Sequence, residues 1–577
     1  MSSSPSPHPK LGPAAATAIC GNDILSSCLY VSGIAILFCG VFAPFVLAFI
    51  AFILFLYKLV YTEVVEALPV NGGAYNCLLN GTTKVVASVA GAMTFLSYIA
   101  TAVISAKVAV EYMHTIVPSI PVIPATIALL GVFAFLVIFG IKDSSKVALG
   151  IFITHIITLF LFLALGAYAT SKGVTHFTDN FHRTAELVTE KGGLFNMLYL
   201  AFAASLLGVS GFESSANFVE EQGKGVFRLT LRNMLLGVAF FNPLIALVVL
   251  QSMPYDAIVA AKDFLLADAA NVIGGHSFKI LVVIDAFLVL SGAVLTSYIG
   301  VSGLLNRMSS DGCIPGLFSK QNKRGAFPRI ILGFFALCSS ILILTKGNLL
   351  ALAGVYTIAF LGVMSMFALG NIILKQSRSE LKRTYSAPLS AVAIALLATS
   401  FGVIGNIRID FNNLIFFEIY FIPTIFIIFC VIYNDRILRT LLKVTTDLPT
   451  FHGWLQRRFS DISSGRFVAF VHNVSRLAPI LEYIDRNETG RKLTLVHCSG
   501  DKKGEQEIRE TLPHLQKAGA FTNFEIDYLC KDMPFGPEVI DVISRELGVR
   551  KNRILIGSIH HSHAFDYADL GGVRIIF

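Results

Sequence analysis

The chain has 577 residues, of which 55% are hydrophobic and only 14% charged, and its mean hydropathy is +0.71. These values exclude an ordinary soluble protein. The formal net charge of +8 requires no nucleic-acid partner, because the basic residues fall in the loops between apolar segments.

Apolar segments of about 20 residues, the length with which an α-helix crosses a bilayer, recur up to Thr440. They predict twelve transmembrane helices, centred near residues 26, 55, 99, 131, 158, 207, 240, 292, 337, 361, 396 and 426. The start of the chain is polar and lacks the apolar core of a signal peptide. Lysine and arginine concentrate in the loops on the side of the amino terminus, so both termini are predicted to be cytoplasmic, in a protein of the cell membrane.

The first predicted helix carries an acid at a predicted break. The phrase Gly21-Asn22-Asp23, followed by Ser26-Ser27, lies inside a long apolar run. Glycine and serine loosen a helix, and a carboxylate inside a membrane is costly. Both features therefore indicate a functional position.

The sixth predicted helix has a second break with a second acid, in Ser210-Gly211-Phe212-Glu213. Interrupted helices in corresponding positions of two halves indicate the substrate site of a secondary transporter. The sequence therefore predicts a transporter whose site includes Asp23 and Glu213.

A region of soluble composition follows the last apolar run. Strand-like segments at 466–472, 492–497, 524–529, 553–558 and 573–577 alternate with helical segments. This alternation predicts a parallel sheet covered on both faces. We divide the chain into a cytoplasmic tail (1–11), a twelve-helix transporter domain (12–441), a linker (442–464) and a cytoplasmic α/β domain (465–577).

The cysteine and histidine patterns predict no cofactor. The nine cysteines are scattered without a Cys-x-x-Cys pair, so neither a disulfide framework nor a zinc site is expected. His560, His561 and His563 form a cluster without regular metal-ligand spacing. We expect no metal, no cofactor and no catalytic residue.

Several phrases resemble the amino acid–polyamine–organocation superfamily of transporters. The matching pieces are the broken first helix, Pro69-x-x-Gly72-Gly73-Ala74-Tyr75, the loop from Gly140 to Lys146, and Gly211-Phe-Glu213 with Glu220-Glu221 behind it. The resemblance covers about residues 12 to 440. It implies a LeuT-like fold of two inverted five-helix repeats plus two further helices, with the first and sixth helices unwound at mid-membrane.

Within this superfamily the first helix is similar to that of the KimA-type potassium importers of bacteria. Amino acid permeases usually have Gly-x-Gly there to hold the substrate carboxylate, which an acid at this place would repel. The importers carry an acid, Leu-Ser-Ser and a tyrosine, which Asp23, Leu25-Ser26-Ser27 and Tyr30 match.

The same resemblance extends to the third and sixth helices. Tyr98 and Thr101 match ion-site residues of the third helix, whereas Ser97 replaces an acid, and Ser210-Gly211-Phe212-Glu213 matches a Thr-Gly-x-Glu phrase. The resemblance implies an ion site formed by Asp23, Ser26, Ser27, Tyr30, Tyr98, Thr101, Ser210 and Glu213. The lost acid leaves the identity of the ion and the stoichiometry open.

Structural interpretations of these side chains also stay open at this point. Asp23 and Glu213 can cap the helical segment that follows each break, because the helix dipole favours an acid at an amino terminus. The hydroxyls of Tyr98, Thr101 and Ser210 can bond to the backbone of their own helices.

His155 is a candidate for proton coupling, together with Glu213. It lies in the apolar fifth helix, where some proton-coupled permeases of this superfamily carry a lysine next to the first helix. An imidazole can take up a proton near neutral pH, or it can stay neutral and bridge two helices. Asp285 in the eighth helix has no visible partner, and Lys107 is predicted to pair with Glu111 one turn away.

The C-terminal region resembles the universal-stress-protein fold. Nucleotide-binding members have Gly-x-x-Gly after the fourth strand, whereas Gly557-Ser558 is followed here by the histidine cluster. We therefore expect a regulatory domain that lacks the glycine-rich phosphate loop. The resemblance to the potassium importers also implies a homodimer through this domain.

The leading hypothesis from the sequence is proton-coupled uptake of a small cation, with potassium as the first candidate. The alternative is an amino-acid or polyamine permease, which the helix-six phrase favours; a cationic substrate would suit Asp23 and Glu213. A third hypothesis is a membrane-anchored sensor that no longer transports, which flux after deletion of the α/β domain would exclude.

Overall fold

The fold is described from a computed structural model. It describes residues 10–140, 145–379, 381, 383–445, 449–463, 465–488, 492–498, 502–517, 525–557, 565 and 570–576. Residues 141–144 of the loop from Gly140 to Lys146, the residue Ser558 and the histidine cluster lie outside these ranges.

The described part of the chain before residue 433 forms sixteen α-helices. They are α1 Pro13–Leu25, α2 Cys28–Cys39, α3 Ala43–Ala67, α4 Gly73–Gly81, α5 Lys84–His114, α6 Val122–Ile138, α7 Ser145–Ser171, α8 Phe177–Glu190, α9 Leu194–Ser205, α10 Val226–Ser252, α11 Tyr255–Ala260, α12 Leu265–Ser310, α13 Pro328–Leu344, α14 Leu349–Ser377, α15 Leu389–Ile409 and α16 Asn412–Ile432.

The protein is a helical membrane protein. Within the described ranges, nine helical runs are long and apolar enough to cross a bilayer. The first of them, Pro13–Ala67, has 55 residues and contains α1, α2 and α3, with a turn at Gly40 (φ +51°). α6 and α13 are also apolar but have only 17 residues each. The total of twelve transmembrane helices remains a prediction.

Burial separates the central helices from those at the periphery. In the most apolar window of α5, 89% of the residues are buried, against 11% in α16. Ile422 and Phe426 of α16 are 60% and 66% exposed, as expected for side chains that face lipid rather than protein. The predicted site residues Tyr98 and Thr101, together with Ser97 before them, therefore lie on a helix at the centre of the bundle.

The C-terminal region contains the predicted parallel sheet. Its strands are β1 Arg466–Phe470, β2 Lys492–Cys498, β3 Glu525–Lys531, β4 Ile554–Ile556 and β5 Arg574–Ile575, in the order β3-β2-β1-β4-β5. All pairs are parallel. The helices of this region are α19 Leu477–Asn487, α20 Lys502–Lys517 and α21 Pro537–Glu546. The alternation read from the sequence is thus confirmed for the sheet, whereas the kinship with the universal-stress-protein fold stays a prediction.

Two further helices join the membrane helices to the sheet. They are α17 Asn434–Val444 and α18 Pro449–Ser463. The segment predicted as a linker, 442–464, therefore contains the end of α17 and all of α18 and is largely helical.

An ionic network connects the sheet to the ends of two membrane helices. Arg574 Nη1 lies 2.5 Å from Glu488 Oε1, and Arg574 Nε lies 3.5 Å from Asp311 Oδ1. Lys84 Nζ lies 2.6 Å from the same Glu488 oxygen. Burial alone would lower the pKa of Arg574, but the carboxylates of Glu488 and Asp311 raise it above its ordinary value. The guanidinium therefore stays charged and ties β5 to α5 and to the residue that follows α12.

Candidate functional site

The first helix is interrupted at Ser26-Ser27 rather than at Gly21. α1 continues through Gly21 and Asp23, and α2 starts at Cys28. The hydroxyls of Ser26 and Ser27 donate to the carbonyls of Asp23 and Ile24 at 2.7 and 2.6 Å, a local bonding pattern that competes with a regular helix. Asp23 lies in the last turn of α1 and does not cap α2, so the capping interpretation was wrong.

The sixth helix is interrupted over a longer stretch. α9 ends at Ser205, two short 3₁₀ turns follow at 206–209 and 213–217, and Gly211 between them has φ +89°. This left-handed conformation is open to glycine at little cost. A Cβ atom on Gly211 would lie 2.9 Å from Asp23 Cγ. The two interruptions are thus in direct contact, with Gly211 against the carboxyl group of Asp23.

A single hydroxyl holds the Asp23 carboxyl group. Ser214 Oγ lies 2.8 Å from Asp23 Oδ2 and 2.6 Å from the carbonyl oxygen of Gly211. One hydroxyl proton serves only one acceptor at a time. A cation that binds Asp23 can therefore displace Ser214, because the hydroxyl has a second acceptor within reach.

Glu213 turns back to the helix break and contacts the third helix. Its Oε1 accepts a hydrogen bond from Ser97 Oγ at 3.1 Å, and its Oε2 accepts one from the backbone N–H of Gly211 at 3.0 Å. Since residues 213–217 form a 3₁₀ turn rather than an α-helix, Glu213 does not cap an α-helix. Ser97 of the third helix thus donates a hydrogen bond to the acid of the sixth-helix break.

Tyr98 and Thr101 differ in what they contact. The Tyr98 hydroxyl accepts a hydrogen bond from Asn217 Nδ2 at 2.6 Å, so Tyr98 reaches the end of the sixth-helix break. Thr101 Oγ1 instead donates to the carbonyl of Ser97 at 2.9 Å, within its own helix. The interpretation that these hydroxyls bond to the backbone of their own helix therefore holds for Thr101 and not for Tyr98.

The remaining predicted residues lie at the contact between the two breaks. Ser27 Oγ is 2.6 Å from the Ile24 carbonyl and also 3.0 Å from the carbonyl of Gly208 in the sixth helix. The Tyr30 hydroxyl lies next to Ser210. Asp23, Ser27, Tyr30, Ser210 and Glu213 are therefore brought together, and Ser26 lies beside them with its hydroxyl bonded to the Asp23 carbonyl.

No basic side chain within the described ranges forms an ion pair with either acid. Asp23 is 6% exposed and Glu213 is 7% exposed. Their partners are two hydroxyls and one backbone N–H. A buried carboxylate without a counter-charge is unfavourable by several kcal/mol. The site therefore favours a positively charged occupant, or a proton, at this point.

His155 lies between a carboxylate and a carbonyl of the broken helix. Its Nδ1 is 2.7 Å from Asp285 Oδ2, and its Nε2 is 3.3 Å from the carbonyl oxygen of Leu25. The Leu25 carbonyl is free for this contact because the N–H of Leu29 donates to Ser26 instead. The view that Asp285 has no partner was therefore wrong, and the predicted position of His155 beside the first helix is confirmed.

Polar contacts close both ends of the bundle. On one side, the Asn71 N–H donates to Glu220 Oε1 at 2.9 Å, and Leu11 exchanges backbone hydrogen bonds with Glu221 and Gly223. On the other side, Lys107 Nζ lies 3.1 Å from Glu111 Oε1, as predicted, and 2.6 Å from Asp263 Oδ2. Asp23 and Glu213 between these contacts are 6% and 7% exposed, so the two acids are largely shielded from solvent in this conformation.

Sequence reasoning missed Ser214, Asn217 and the contact of Asp285. Ser214 and Asn217 follow Glu213 in a 3₁₀ turn, and no apolar periodicity marks which of these side chains face the first and third helices. Asp285 and His155 are 130 positions apart. Both are polar residues in otherwise apolar helices, and this is the feature of the sequence that could have predicted their contact.

Residues 11–433 match the amino acid permease family. The branched-chain amino acid permease BcaP of Bacillus subtilis (strain 168) is 23% identical over 269 residues, which cover 46% of this chain and 54% of that protein. The aligned region thus spans about half the length of this relative. Neither the family nor this relative is described as transporting potassium.

Among solved structures, two mutants of the manganese transporter of Eremococcus coleocola are similar. One has a TM-score of 0.49 at 10% identity and covers 74% of this chain and 95% of that chain. The other has a TM-score of 0.47 at 12% identity and covers 79% and 97%.

Proposed function

Because this chain belongs to the amino acid permease family, we propose that it is a proton-coupled permease for an amino acid or polyamine with a net positive charge. The observation that carries this proposal is the pair of buried acids, Asp23 and Glu213, which lack a basic partner among the described residues. An ammonium or guanidinium group of the substrate supplies the missing positive charge.

The two acids have different roles in this proposal. Asp23 is held by one hydroxyl that has another acceptor available, so Asp23 binds the cationic group of the substrate. Glu213 is held by Ser97 and by the N–H of Gly211, so it orients the broken backbone of the sixth helix. When substrate binds, Ser214 turns to the Gly211 carbonyl and Asp23 exchanges a hydroxyl for a charged donor.

His155 and Asp285 carry the coupling proton. Both ring nitrogens face acceptors, a carboxylate and the Leu25 carbonyl. The imidazolium can donate to both, whereas the neutral ring can donate to only one. Loss of the proton therefore removes one bond between α7 and either α12 or the first-helix break. Leu25 lies two residues from Asp23, so a change in the protonation of His155 alters a hydrogen bond next to the substrate site.

The transport cycle follows from the two breaks. In this proposal the bundle has twelve helices, and the site lies at mid-membrane between two inverted repeats of five helices. The repeats move as rigid bodies around the site, which opens it to one side of the membrane and then to the other. Both termini are on the cytoplasmic side in this arrangement, and the direction is uptake into the cell. Dimerisation through the α/β domain stays part of the proposal.

Potassium is the second candidate substrate. Tyr30, Ser210 and Ser214 surround the two acids with hydroxyl oxygens, and oxygen ligands are what an alkali cation needs in place of its hydration shell. No group of three or more His, Cys, Asp or Glu side chains within the described residues is arranged to hold a metal. We rank potassium second because an organic cation agrees with the family.

The deciding experiment is uptake into proteoliposomes with an imposed pH gradient, acidic outside. Labelled arginine and labelled spermidine are the substrates, and leucine, sodium and potassium are the competitors. We expect saturable uptake of at least one organic cation that a protonophore abolishes and that leucine does not inhibit.

Other outcomes of this experiment separate the alternatives. Inhibition by leucine alone would contradict a charged substrate, and saturable rubidium or potassium uptake without arginine or spermidine uptake would favour the second candidate. Absence of any flux by a folded, reconstituted chain would favour the sensor hypothesis.

A further inference from the structure

The two helices that follow the last membrane helix expose an unusual surface. We call α17 and α18, residues 434–444 and 449–463, the juxtamembrane hairpin, because the two helices pack against each other and α17 begins two residues after α16 ends at Ile432. An element so close to the end of a membrane helix lies at the depth of the lipid headgroups. Its side chains therefore indicate whether it rests on the membrane.

α17 exposes aliphatic side chains on one face and buries a different one. Ile437, Leu441 and Val444 are 39%, 38% and 74% exposed, and their spacing of four and three places them on one face. Leu438, on another face, is 6% exposed and anchors the helix to the protein. α17 thus has an apolar stripe that no described residue covers.

α18 adds two exposed aromatic side chains. Phe451 and Trp454 are 43% and 57% exposed, and their rings stack with centroids 6.0 Å apart. Leu455 beside them is buried at 1% and fixes the helix. Tryptophan is enriched at the interface between membrane and water, where its apolar body meets lipid and its N–H meets water.

Basic side chains accompany this apolar surface. Arg436, Arg439, Lys443 and Arg457 are exposed, and Arg436 stacks over the Tyr433 ring at 5.3 Å. Over residues 434–463 the sequence has five basic and three acidic residues. The combination of exposed aliphatic, aromatic and basic groups is typical of helices that lie in the plane of an anionic membrane surface.

We propose that the juxtamembrane hairpin lies in the headgroup layer of the cytoplasmic leaflet and binds anionic phospholipids. Ile437, Leu441, Val444, Phe451 and Trp454 enter the acyl boundary, and the four basic side chains bind lipid phosphates. This proposal rests on the membrane insertion and orientation proposed above, and not on the substrate. The occupant is lipid rather than a second copy of the chain, since the surface continues directly from α16 at the edge of the bilayer and its charge complements anionic headgroups.

Trp454 is the only tryptophan of the chain, so its fluorescence reports on this surface alone. The full chain is reconstituted in bilayers of zwitterionic lipid in which a fixed fraction is replaced by brominated phosphatidylglycerol or, in parallel, by brominated phosphatidylcholine. We expect both brominated lipids to quench Trp454, and the anionic one to quench it more strongly.

A triple substitution tests the basic groups. The R436Q/R439Q/K443Q chain is expected to lose the preference for brominated phosphatidylglycerol, since each basic residue near an anionic surface contributes about a fivefold preference. The matched control is R486Q/R545Q, which removes exposed charges from α19 and α21 in the α/β domain and should keep the preference unchanged.

Three results would overturn the proposal. The first is an unquenched Trp454 with red-shifted emission, which places the hairpin in water. The second is an unquenched Trp454 with blue-shifted emission, which indicates a protein partner such as a second copy. The third is a loss of the preference for brominated phosphatidylglycerol in R486Q/R545Q that equals the loss in the triple variant. Uptake is measured on the same reconstituted samples, so that the two proposals can be tested separately. A chain that transports substrate but has an unquenched Trp454 contradicts only the proposal that the hairpin binds lipid.

Discussion

The interruptions of the first and sixth helices differ in length and backbone conformation. The first spans Ser26 and Ser27, which keep right-handed dihedral angles, so that α1 and α2 almost form one helix. The sixth runs from Leu206 to Asn217, contains Gly211 at φ +89°, and does not return to an α-helix within that stretch. Two breaks that look equivalent in the sequence thus differ in the structure. The first is a two-residue interruption of a nearly continuous helix, and the second is a longer stretch with two 3₁₀ turns.

The difference assigns separate tasks to the two acids. The short break leaves Asp23 on a helix, with a single hydroxyl as its side-chain partner. The long break lets Glu213 fold back on the N–H of Gly211. We infer that the first helix presents the charge that binds substrate and that the sixth helix supplies the segment that moves.

The largest effect is expected from Asp23→Asn. The amide keeps the shape of the side chain but removes the charge, and loss of one member of a buried ion pair costs about 3–5 kcal/mol, which corresponds to a thousandfold weaker binding. Saturable transport should therefore disappear while the protein still reaches the membrane. Uptake assays with quantified protein in the membrane check this result.

Glu213→Gln is the matched comparison for Asp23→Asn. Because Glu213 is already held by Ser97 and Gly211, we expect a smaller loss, of about tenfold to thirtyfold, from weaker charge-assisted hydrogen bonds. Transport at wild-type rates by Asp23→Asn, or a greater loss in Glu213→Gln than in Asp23→Asn, would reverse the roles assigned to the two acids.

Gly211→Ala tests the long break and should reduce the transport rate by about a hundredfold. A left-handed conformation costs an alanine about 1–2 kcal/mol, and overpacking adds about 1–3 kcal/mol. The added methyl would lie 2.9 Å from Asp23 Cγ. Gly150→Ala in α7 is the control, since a Cβ there meets nothing within 4 Å. A Gly211→Ala chain with normal uptake would show that transport needs neither the left-handed conformation of Gly211 nor its close contact with Asp23.

The sequence predicted the existence of both breaks but not their forms. Apolar runs of about 20 residues located the nine membrane-length helical runs of the described ranges, because a helix that crosses a bilayer needs such a run. The apolar runs could not show that Gly21 stays helical while Ser26 and Ser27 interrupt the helix. That outcome depends on whether the serine hydroxyls donate to carbonyls of their own helix or to carbonyls of a neighbouring helix. Likewise, the pairing of His155 with Asp285 depends on how α7 packs against α12, which no local pattern encodes. The parallel sheet was predictable because its strands are short, apolar and separated by amphipathic helices.

His155→Ala should lower uptake by about tenfold and flatten its pH dependence. In the wild-type chain, proton-driven uptake should fall as the pH rises, because fewer protons are available to the pair of His155 and Asp285. Without the imidazole, the Leu25 carbonyl loses its donor at every pH, and the profile becomes flat. Initial rates between pH 5 and 8 measure the effect.

Asp285→Asn is the companion variant of His155→Ala. It keeps the size of the His155 partner but removes the negative charge that faces Nδ1 of the imidazole. We expect a pH dependence of uptake that is weaker than in the wild-type chain but stronger than in His155→Ala. Unaltered profiles in both variants would remove this pair from the coupling mechanism and leave Glu213 as the proton carrier.

The smallest effect on substrate choice is expected from removing the α/β domain. A chain that ends at Leu442 loses Arg574 and Glu488. Lys84 at the start of α5 then loses its ion pair with Glu488, whereas Asp311 after α12 loses Arg574 but keeps Arg307 and Tyr75. Lys84 is the first residue of α5, about 20 Å along that helix from Ser97, and Asp311 follows the end of α12. We therefore expect unchanged competition by arginine, spermidine and leucine, with a maximal rate altered by less than about tenfold. Arg574→Gln separates the ionic contact from the rest of the domain, and it should alter the rate in the same direction. A changed order of competitors in either chain would show that the domain shapes the site, and micromolar ATP binding by the full chain in calorimetry would contradict the prediction that the domain lacks a phosphate-binding loop.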